Sequence, residues 1–320
     1  MKRLSFIIVF LLFIAASCSK AIVQEQYTFY AMDTVITITF YDTEQSKELA
    51  KNVESIYKKY ENVADDYHRG NGICTVYDLN EKREAEISFE LKELLEFSIE
   101  MQKDTDGFFN PCIGRLSHLW KQALEDKKLP KDAIIASELS IMNETDILIE
   151  GLHAKLIGEG NIDLGGVAKG FATSKAKEYL DSLDCHSYLL NAGASAIVLG
   201  NKKGKDFVVG LSKSFDSGYY KILHLKEKAI ATSSIKEQYV KIEDTLYSHL
   251  LNPKTGYPAM LYDSISIIGE DSKTLDAYST ACFAMELEEL ITFLKNKNLE
   301  FVVAKQDKLL FQSEGVEDYA

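Results

Sequence analysis

The stretch that decides the fold is NIDLGGVAKGFATSKAKEYL, residues 161–180. Before Gly165 and Gly166, apolar residues alternate around Asp163 in the pattern of a strand. From Val167, apolar residues recur every three or four positions, which predicts an amphipathic helix. A glycine pair at this junction lets a ligand approach the backbone, and the free N–H groups of the first helical turn point at that ligand. The alternative is a tight turn with no ligand.

Lys169 falls in the first turn of this predicted helix. The stretch lacks the further glycine and the Lys-Ser/Thr pair of a P-loop, so it is not an ordinary nucleotide-binding fingerprint. The composition limits which ligands are expected. The 320 residues are 46% hydrophobic and carry a formal net charge of −13. So acidic a chain has no general attraction for nucleic acid or anionic lipid, and an anionic ligand needs a local cation, lysines or helix dipoles.

The N-terminus predicts a bacterial lipoprotein. Two basic residues precede an apolar run, 4–16, which is too short for a typical membrane-spanning helix and ends in small residues directly before Cys18. We expect residues 1–17 to be a signal peptide, Cys18 to be lipidated, and 18–26 to form a tether. A plain secreted protein and an uncleaved anchor are the alternatives. The other cysteines lack CxxC spacing and predict separate, mostly buried thiols, although export would permit a pair.

The remaining chain, 27–320, predicts one α+β domain with mixed, largely antiparallel sheets and packed helices. Short apolar runs separated by turn residues follow the central helix, which is typical of antiparallel pairing rather than of a doubly wound parallel sheet. Helical spacing predicts helices over 46–63, after Ser88 and around Trp120. Segment 65–80 predicts an irregular loop, either a binding loop or an ordinary connection. The predicted strand segments are 27–41, 147–149, 154–157, 187–191, 196–199, 207–211, 220–225, 238–242 and 246–251.

Two further constellations carry candidate chemistry. In YSHLLNPKTGYP, residues 247–258, a strand ends in a turn that displays His249 and Lys254; a hairpin with a satisfied histidine is the alternative. Asp276 and Thr280 stand at i and i+4, so both oxygens lie on one side of a helix. That pair suits Mg²⁺, which takes few protein ligands, although an acidic residue that favours the helix dipole is the blander interpretation.

In combination, these residues resemble the FAD:protein FMN transferases, the ApbE family, with motifs in the same order over nearly all of the mature chain. The chain departs from the family at Asp33, Ala194 and Ser234, where glycine is the usual residue. The matching motifs are Met32-Asp33-Thr34, Phe109-Asn110-Pro111 with Leu119-Trp120, DLGGVAKG at 163–170, Asn191-Ala192-Gly193, Ala231-Thr232-Ser233-Ser234, 249–258 and 276–280.

The resemblance implies an ApbE-type, T-fold-like architecture and an enzyme that transfers FMN from FAD to a threonine hydroxyl of a partner flavoprotein, releasing AMP. It implies Mg²⁺ on Asp276 and Thr280, with the Ala168 carbonyl as a third ligand. It also places Gly165, Gly166 and Lys169 along the phosphates. Catalysis of attack on a doubly charged pyrophosphate comes mainly from positioning and charge neutralisation.

The resemblance further assigns His249 to proton handling at the acceptor hydroxyl or to phosphate contact, since its unperturbed pKa lies near neutrality. Asp163 serves as the base or orients Lys169, and the sequence leaves both open. Candidates for holding the FAD rings are Met32, Tyr67, Trp120 and Tyr239.

Two alternatives to the transferase remain. The first is an FAD pyrophosphatase giving FMN and AMP, and the second is a non-catalytic FAD-binding lipoprotein. The lipid anchor predicts a place in the bacterial cell envelope, outside the cytoplasm and attached to a membrane. The acceptor is then expected to be an extracytoplasmic or membrane flavoprotein, such as a subunit of a redox-driven ion pump. No nucleic-acid partner is expected.

Overall fold

The computed structural model describes residues 22–236 and 239–320. The predicted signal peptide, the lipidation site Cys18 and the first part of the tether lie outside these residues. Over the described ranges, every helix is too short or too polar to cross a membrane. The helices are α1 (Ser46–Ala64), α2 (Val76–Lys82), α3 (Phe89–Asp104), α4 (Gly114–Glu125), α5 (Asp132–Asn143), α6 (Ala168–Ser182), α7 (Ser272–Cys282) and α8 (Leu287–Asn296), followed by a 3₁₀ helix at Glu314–Tyr319.

The strands are short and follow one another closely in the second half of the chain. They are β1 (Gln24–Ala31), β2 (Thr34–Tyr41), β3 (Glu84–Glu86), β4 (Asp146–Glu150), β5 (His153–Ile157), β6 (Tyr188–Ala192), β7 (Ala196–Leu199), β8 (Phe207–Ser212), β9 (Tyr219–Leu225), β10 (Lys228–Ser234), β11 (Tyr239–Ile242), β12 (Thr245–Ser248), β13 (Leu251–Asn252), β14 (Tyr257–Pro258), β15 (Ser264–Gly269), β16 (Glu300–Lys305) and β17 (Lys308–Gln312).

Eight strands form one antiparallel sheet in the order β1-β2-β6-β7-β10-β15-β16-β17. Successive side chains point to opposite faces, so Ile267 joins the main core while Ile268 joins a smaller cluster on the other face. Helix α7 packs on β10 and β15, and α6 packs on α7. The predicted α+β fold with a largely antiparallel sheet is confirmed.

The sheet begins earlier than predicted. Gln24 pairs with Tyr41, so residues 24–26 belong to β1 rather than to the tether.

Segment 65–80 is irregular only as far as Thr75, because α2 follows. The Thr75 hydroxyl accepts a hydrogen bond from the Asp78 N–H at 3.3 Å, and the Asp78 carboxylate accepts one from the Thr75 N–H at 3.4 Å. This capping box was present in the sequence as Thr-x-x-Asp.

The strand predicted before the glycine pair is also wrong. Asn161 forms only an isolated bridge with Ile113. Ile162 is instead held by the side chain of Asn80, whose Oδ1 accepts from the Ile162 N–H at 2.7 Å and whose Nδ2 donates to the Ile162 carbonyl at 2.9 Å. One amide side chain thus satisfies the backbone groups that a neighbouring strand would otherwise pair.

The segment predicted as one strand over 246–251 is divided into β12 and β13 by His249 and Leu250. No strand is predicted from the sequence at β15, and no elements are predicted for residues 283–320. Although Ser and Ile alternate in β15, Ser264 and Ser266 are buried with the apolar residues, so the alternation does not mark a solvent-exposed face.

Two hairpin turns meet at one end of the sheet, and each contains a residue that departs from the family pattern. Met32 and Asp33 have φ values of 53° and 55°, and Gly193 and Ala194 have φ values of 64° and 65°. A Cβ on Gly193 would lie 2.1 Å from Thr34 Oγ1, so the two turns are in tight contact. Ala194 therefore holds a left-handed conformation that costs a non-glycine residue about 1–2 kcal/mol.

We expect Ala194→Gly to stabilise the protein. Relief of the left-handed strain exceeds the extra chain entropy of glycine, which leaves a gain of about 0.5–1 kcal/mol in the free energy of unfolding. Urea unfolding followed by circular dichroism measures this. The matched control is Ala192→Gly in the buried end of β6, which should destabilise. Equal losses in both variants would contradict the strain at Ala194.

Candidate functional site

The turn around the glycine pair is fixed by Asp163. Its Oδ1 accepts from the Gly165 N–H at 2.8 Å, and its own N–H donates to the Pro111 carbonyl at 2.9 Å. Helix α6 then begins at Ala168, with no side-chain cap at its N-terminus. The sequence prediction of a glycine turn followed by a helix, with Lys169 in the first turn, is confirmed.

Helix α7 contacts the N-terminus of α6 through hydrogen bonds, one of which runs from the Ser272 hydroxyl to the Gly170 carbonyl at 3.0 Å. Asp276 Oδ2 accepts from the Gly170 N–H at 2.7 Å, and the Thr280 hydroxyl donates to the Gly166 carbonyl at 3.1 Å. Asp276 is only 5% exposed. An N-terminal N–H carries partial positive charge, so it is a suitable partner for a carboxylate oxygen.

The contact at Gly170 requires glycine, and the contact at Gly166 leaves little room for a side chain. A Cβ on Gly170 would lie 2.3 Å from Asp276 Cβ and 2.6 Å from the Ser272 carbonyl oxygen. A Cβ on Gly166 would lie 3.0 Å from Thr280 Cγ2. The two glycines therefore set the distance between α6 and α7. Gly170, to which the sequence analysis gave no role, is the more tightly constrained of the two.

The three residues predicted to bind metal meet at this helix contact. Asp276 and Thr280 are one turn apart on α7, and Ala168 lies between the two glycines that they bond. Within the described ranges there is no group of three or more His, Cys, Asp or Glu side chains that could hold a metal ion. One carboxylate with a hydroxyl and a carbonyl suits a hard cation that keeps several waters, such as Mg²⁺, better than it suits zinc.

Of the predicted ring-binding residues, Tyr67 lies within electrostatic range of Asp163, and Met32 is next to Asp33, which also acts on Tyr67. Burial raises the pKa of Tyr67, and the charges of Asp66, Asp163, Glu125 and Asp33 raise it further. The 65–75 loop and the Met32–Asp33 turn therefore lie near the glycine turn. The Met32 N–H donates to Glu61 Oε1 at 2.6 Å, which anchors its turn to α1.

Trp120 is placed differently from the prediction. It is 3% exposed, its indole N–H donates to the Gly256 carbonyl at 2.7 Å, and its ring stacks on Tyr247 at 6.0 Å. Burial leaves little of the ring for a flavin, so the structure favours a supporting role for Trp120. It fixes the β13–β14 turn, in which Lys254 donates to the Asp106 carbonyl.

Tyr239 lies on β11, and His249 directly follows the neighbouring strand β12. Tyr239 pairs with Ser248, the residue before His249, and its half-exposed ring meets Phe215 edge-on at 5.9 Å. His249 is partly buried in the bend between β12 and β13. This part of the chain connects to the glycine turn through α4, whose Gly114 N–H donates to the Asn161 carbonyl at 2.8 Å.

Two supporting residues escaped the sequence analysis. Asn80 holds Ile162, as described above. Arg83 donates to the carbonyls of Gly158 and Gly160, both at 2.7 Å. Both residues belong to α2 or its C-terminal cap and lie far from the glycine turn in sequence, so no local pattern could identify them.

We expect Gly170→Ala to destabilise the protein by about 1–3 kcal/mol, because the added methyl group must push α7 away from α6. Thermal unfolding measures this. The control is Gly165→Ala, where the added Cβ would meet only the Asp163 carboxylate oxygen, at 3.1 Å, and the effect should be smaller. Similar losses in the two variants would mean that the α6–α7 spacing is not the constraint.

The chain was compared with known proteins. The ApbE family model matches residues 32–303. The FAD:protein FMN transferase of Klebsiella pneumoniae (strain 342) is 23% identical over 293 residues, covering 89% of this chain and 90% of that protein. The FAD:protein FMN transferase of Chlamydia muridarum is 26% identical over 313 residues, covering 92% and 93%.

Solved structures agree in fold. The ApbE protein of Thermotoga maritima superimposes with a TM-score of 0.84 at 23% identity, covering 93% of this chain and 99% of that chain. The flavin transferase ApbE of Vibrio cholerae gives 0.78 at 19% identity, covering 94% and 100%. The fold, the order of the motifs and the match over most of the length lead to one conclusion: this chain belongs to the ApbE family.

Proposed function

We propose that this protein is a Mg²⁺-dependent FAD:protein FMN transferase that modifies a threonine, or a serine, hydroxyl of a partner flavoprotein. Membership in the ApbE family supports the transferase activity. The observation that carries the finer proposal is the pair of hydrogen bonds from Asp276 and Thr280 to the N-terminus of α6. Together these bonds place a buried carboxylate and a hydroxyl beside the glycine pair and the first turn of α6.

The glycine turn and α6 are suited to the pyrophosphate of FAD. Gly165 and Gly166 leave the backbone open to close approach, and the first turn of α6 offers N–H groups and the positive end of the helix dipole. Lys169 adds a positive charge to that turn, and no salt bridge occupies its ammonium group in the part of the chain that the structure describes. In so acidic a protein, these local features are what make an anionic ligand acceptable.

The residues at the α6–α7 contact fit Mg²⁺. The Thr280 hydroxyl gives its proton to the Gly166 carbonyl, so its oxygen lone pairs are directed away from that bond. The Asp276 carboxylate is oriented by the Gly170 N–H, and Ala168 offers its carbonyl oxygen. A Mg²⁺ ion held there would neutralise charge on the pyrophosphate as the leaving group departs.

In the proposed reaction, the acceptor hydroxyl oxygen forms a bond to the phosphorus of the FMN half of FAD. The bond between that phosphorus and the bridging oxygen of the pyrophosphate breaks, AMP leaves with the bridging oxygen, and the hydroxyl proton passes to a base. His249 takes this proton or contacts the phosphate. Asp163 already accepts a hydrogen bond from Gly165, which supports an orienting role for it rather than that of the base.

We expect Asp276→Ala to lower FMN transfer by about 10²-fold or more, since it removes the charged oxygen ligand. Thr280→Val should also lose activity, whereas Thr280→Ser keeps the hydroxyl and should retain most of it. The assay follows the mass of a threonine-bearing acceptor and the release of AMP, with and without a chelator. Wild-type activity in the chelator would contradict the metal requirement.

The same assay separates the two alternatives. Release of AMP without labelling of any offered acceptor would indicate a pyrophosphatase that uses water. Binding of FAD without release of AMP would indicate a flavin-binding lipoprotein. The buried Asp276 and its hydroxyl partner argue for catalysis, because a protein that only binds FAD gains nothing from a metal on the pyrophosphate.

We further propose that the enzyme acts in the bacterial cell envelope, anchored by lipid on Cys18. Labelling with a radioactive fatty acid should mark the wild-type protein and should be lost in Cys18→Ser. The control Cys185→Ser replaces a buried thiol within the domain and should keep the label. A mature N-terminus at another residue would refute this anchoring.

A further inference from the structure

A hydrogen-bonded acid–histidine pair lies beside the glycine turn, and the reaction proposed above does not use it. His118 Nε2 and Asp66 Oδ2 are 2.7 Å apart, with His118 on α4 and Asp66 in the 65–75 loop. The next residue, Tyr67, stacks on the His118 ring at 4.8 Å, with 30° between the planes. The side chain of His118 is 36% exposed and that of Asp66 only 12%.

The Asp66–His118 hydrogen bond links the 65–75 loop to α4. Lys121, one turn further along α4, places its ammonium group 3.9 Å from the centre of the Tyr67 ring. Tyr67 is thereby held by two α4 side chains and remains 46% exposed.

The charges around His118 are mostly negative. Asp66 and Asp163 both raise the pKa of His118, and Lys121, on its own helix, lowers it. Asp33 and Glu125 act on the neighbouring Tyr67. A protonated His118 is therefore one of few positive charges near Asp163, which in turn fixes the turn proposed to receive the FAD phosphates.

We propose that His118, held by Asp66, is a positioning residue for FAD. It fixes the Tyr67 loop on α4 and supplies the positive charge that offsets Asp66 and Asp163 at the entrance to the glycine turn. This inference rests on the proposed function, because it takes FAD as the ligand. It concerns affinity for the dinucleotide rather than the chemical step.

The charge of His118 predicts how the affinity for FAD changes with pH. The hydrogen bond with Asp66 raises the pKa of His118 against the opposing effect of its burial, so the imidazolium is favoured in the folded protein. The positive charge is present below that raised pKa and is lost as the pH rises through it. Above that pKa, the carboxylates of Asp66 and Asp163 face an anionic ligand without the positive charge of His118. Affinity for FAD should therefore fall as the solution becomes alkaline.

The test measures the dissociation constant of FAD, by quenching of flavin fluorescence, between about pH 6 and about pH 9 with the full-length protein. In the wild type we expect affinity to weaken roughly three- to five-fold across the titration of His118, the size of effect that one unit charge exerts in a solvated cleft. His118→Gln retains a hydrogen-bond donor without a titrating charge, so its affinity should change less over this window than that of the wild type.

The chain offers a matched control in a second acid–histidine pair. His186 Nδ1 lies 3.2 Å from Asp181 Oδ1 beyond the C-terminal end of α6, about 20 Å from the glycine turn along the helix axis. His186→Gln should keep the wild-type dependence on pH. A third variant, Asp66→Asn, removes the group that raises the pKa of His118, so the loss of affinity should begin at lower pH.

Steady-state kinetics provide a second measurement that a merely structural role would not affect. In the wild type, the dependence on the charge of His118 should appear in the KM for FAD. In His118→Gln, kcat at saturating FAD should keep the pH profile of the wild type. The inference is overturned if His118→Gln and the wild type lose affinity in parallel, or if the effect appears in kcat. Direct binding is measured without turnover, so a wild type that binds FAD but transfers nothing refutes the proposed function and leaves this test intact.

Discussion

The site depends on the contact between the N-terminus of α6 and one face of α7. Hydrogen bonds hold it, among them those from the Gly170 N–H to Asp276 and from Thr280 to the Gly166 carbonyl. The bond to Asp276 depends on glycine at position 170, because the methyl group of alanine would overlap the Asp276 side chain. A short distance between two backbones therefore places a carboxylate and a hydroxyl beside a turn that can receive phosphate.

The rest of the fold holds these two helices in place. Helix α7 lies against the centre of the eight-stranded sheet, and its buried Ser279 hydroxyl lies 2.9 Å from that of Ser233 on β10. On the other side, Asn80 holds the backbone of Ile162, and Trp120 fixes the turn after β13. These contacts join segments that are far apart in sequence, so the site exists only when the whole domain is folded.

Electrostatics explain why so acidic a chain can bind a dinucleotide. The net charge of −13 opposes anions in general, but the glycine turn offers backbone N–H groups, a helix N-terminus and Lys169. The negative charges near it, Asp163 and Asp66, are engaged by hydrogen bonds, to Gly165 and to His118 respectively. Local arrangement rather than overall charge therefore decides what this surface binds.

The sequence by itself determined the glycine turn, the helix that follows it, the i and i+4 spacing of Asp276 and Thr280, and the class of the fold. Each of these follows from a local period or a short motif. Tertiary structure alone decided that Trp120 is a buried support, that Asn80 replaces a neighbouring strand, and that Gly170 controls the distance between two helices. Those roles come from contacts between residues distant in sequence, and local periodicity carries no information about which distant residues will meet.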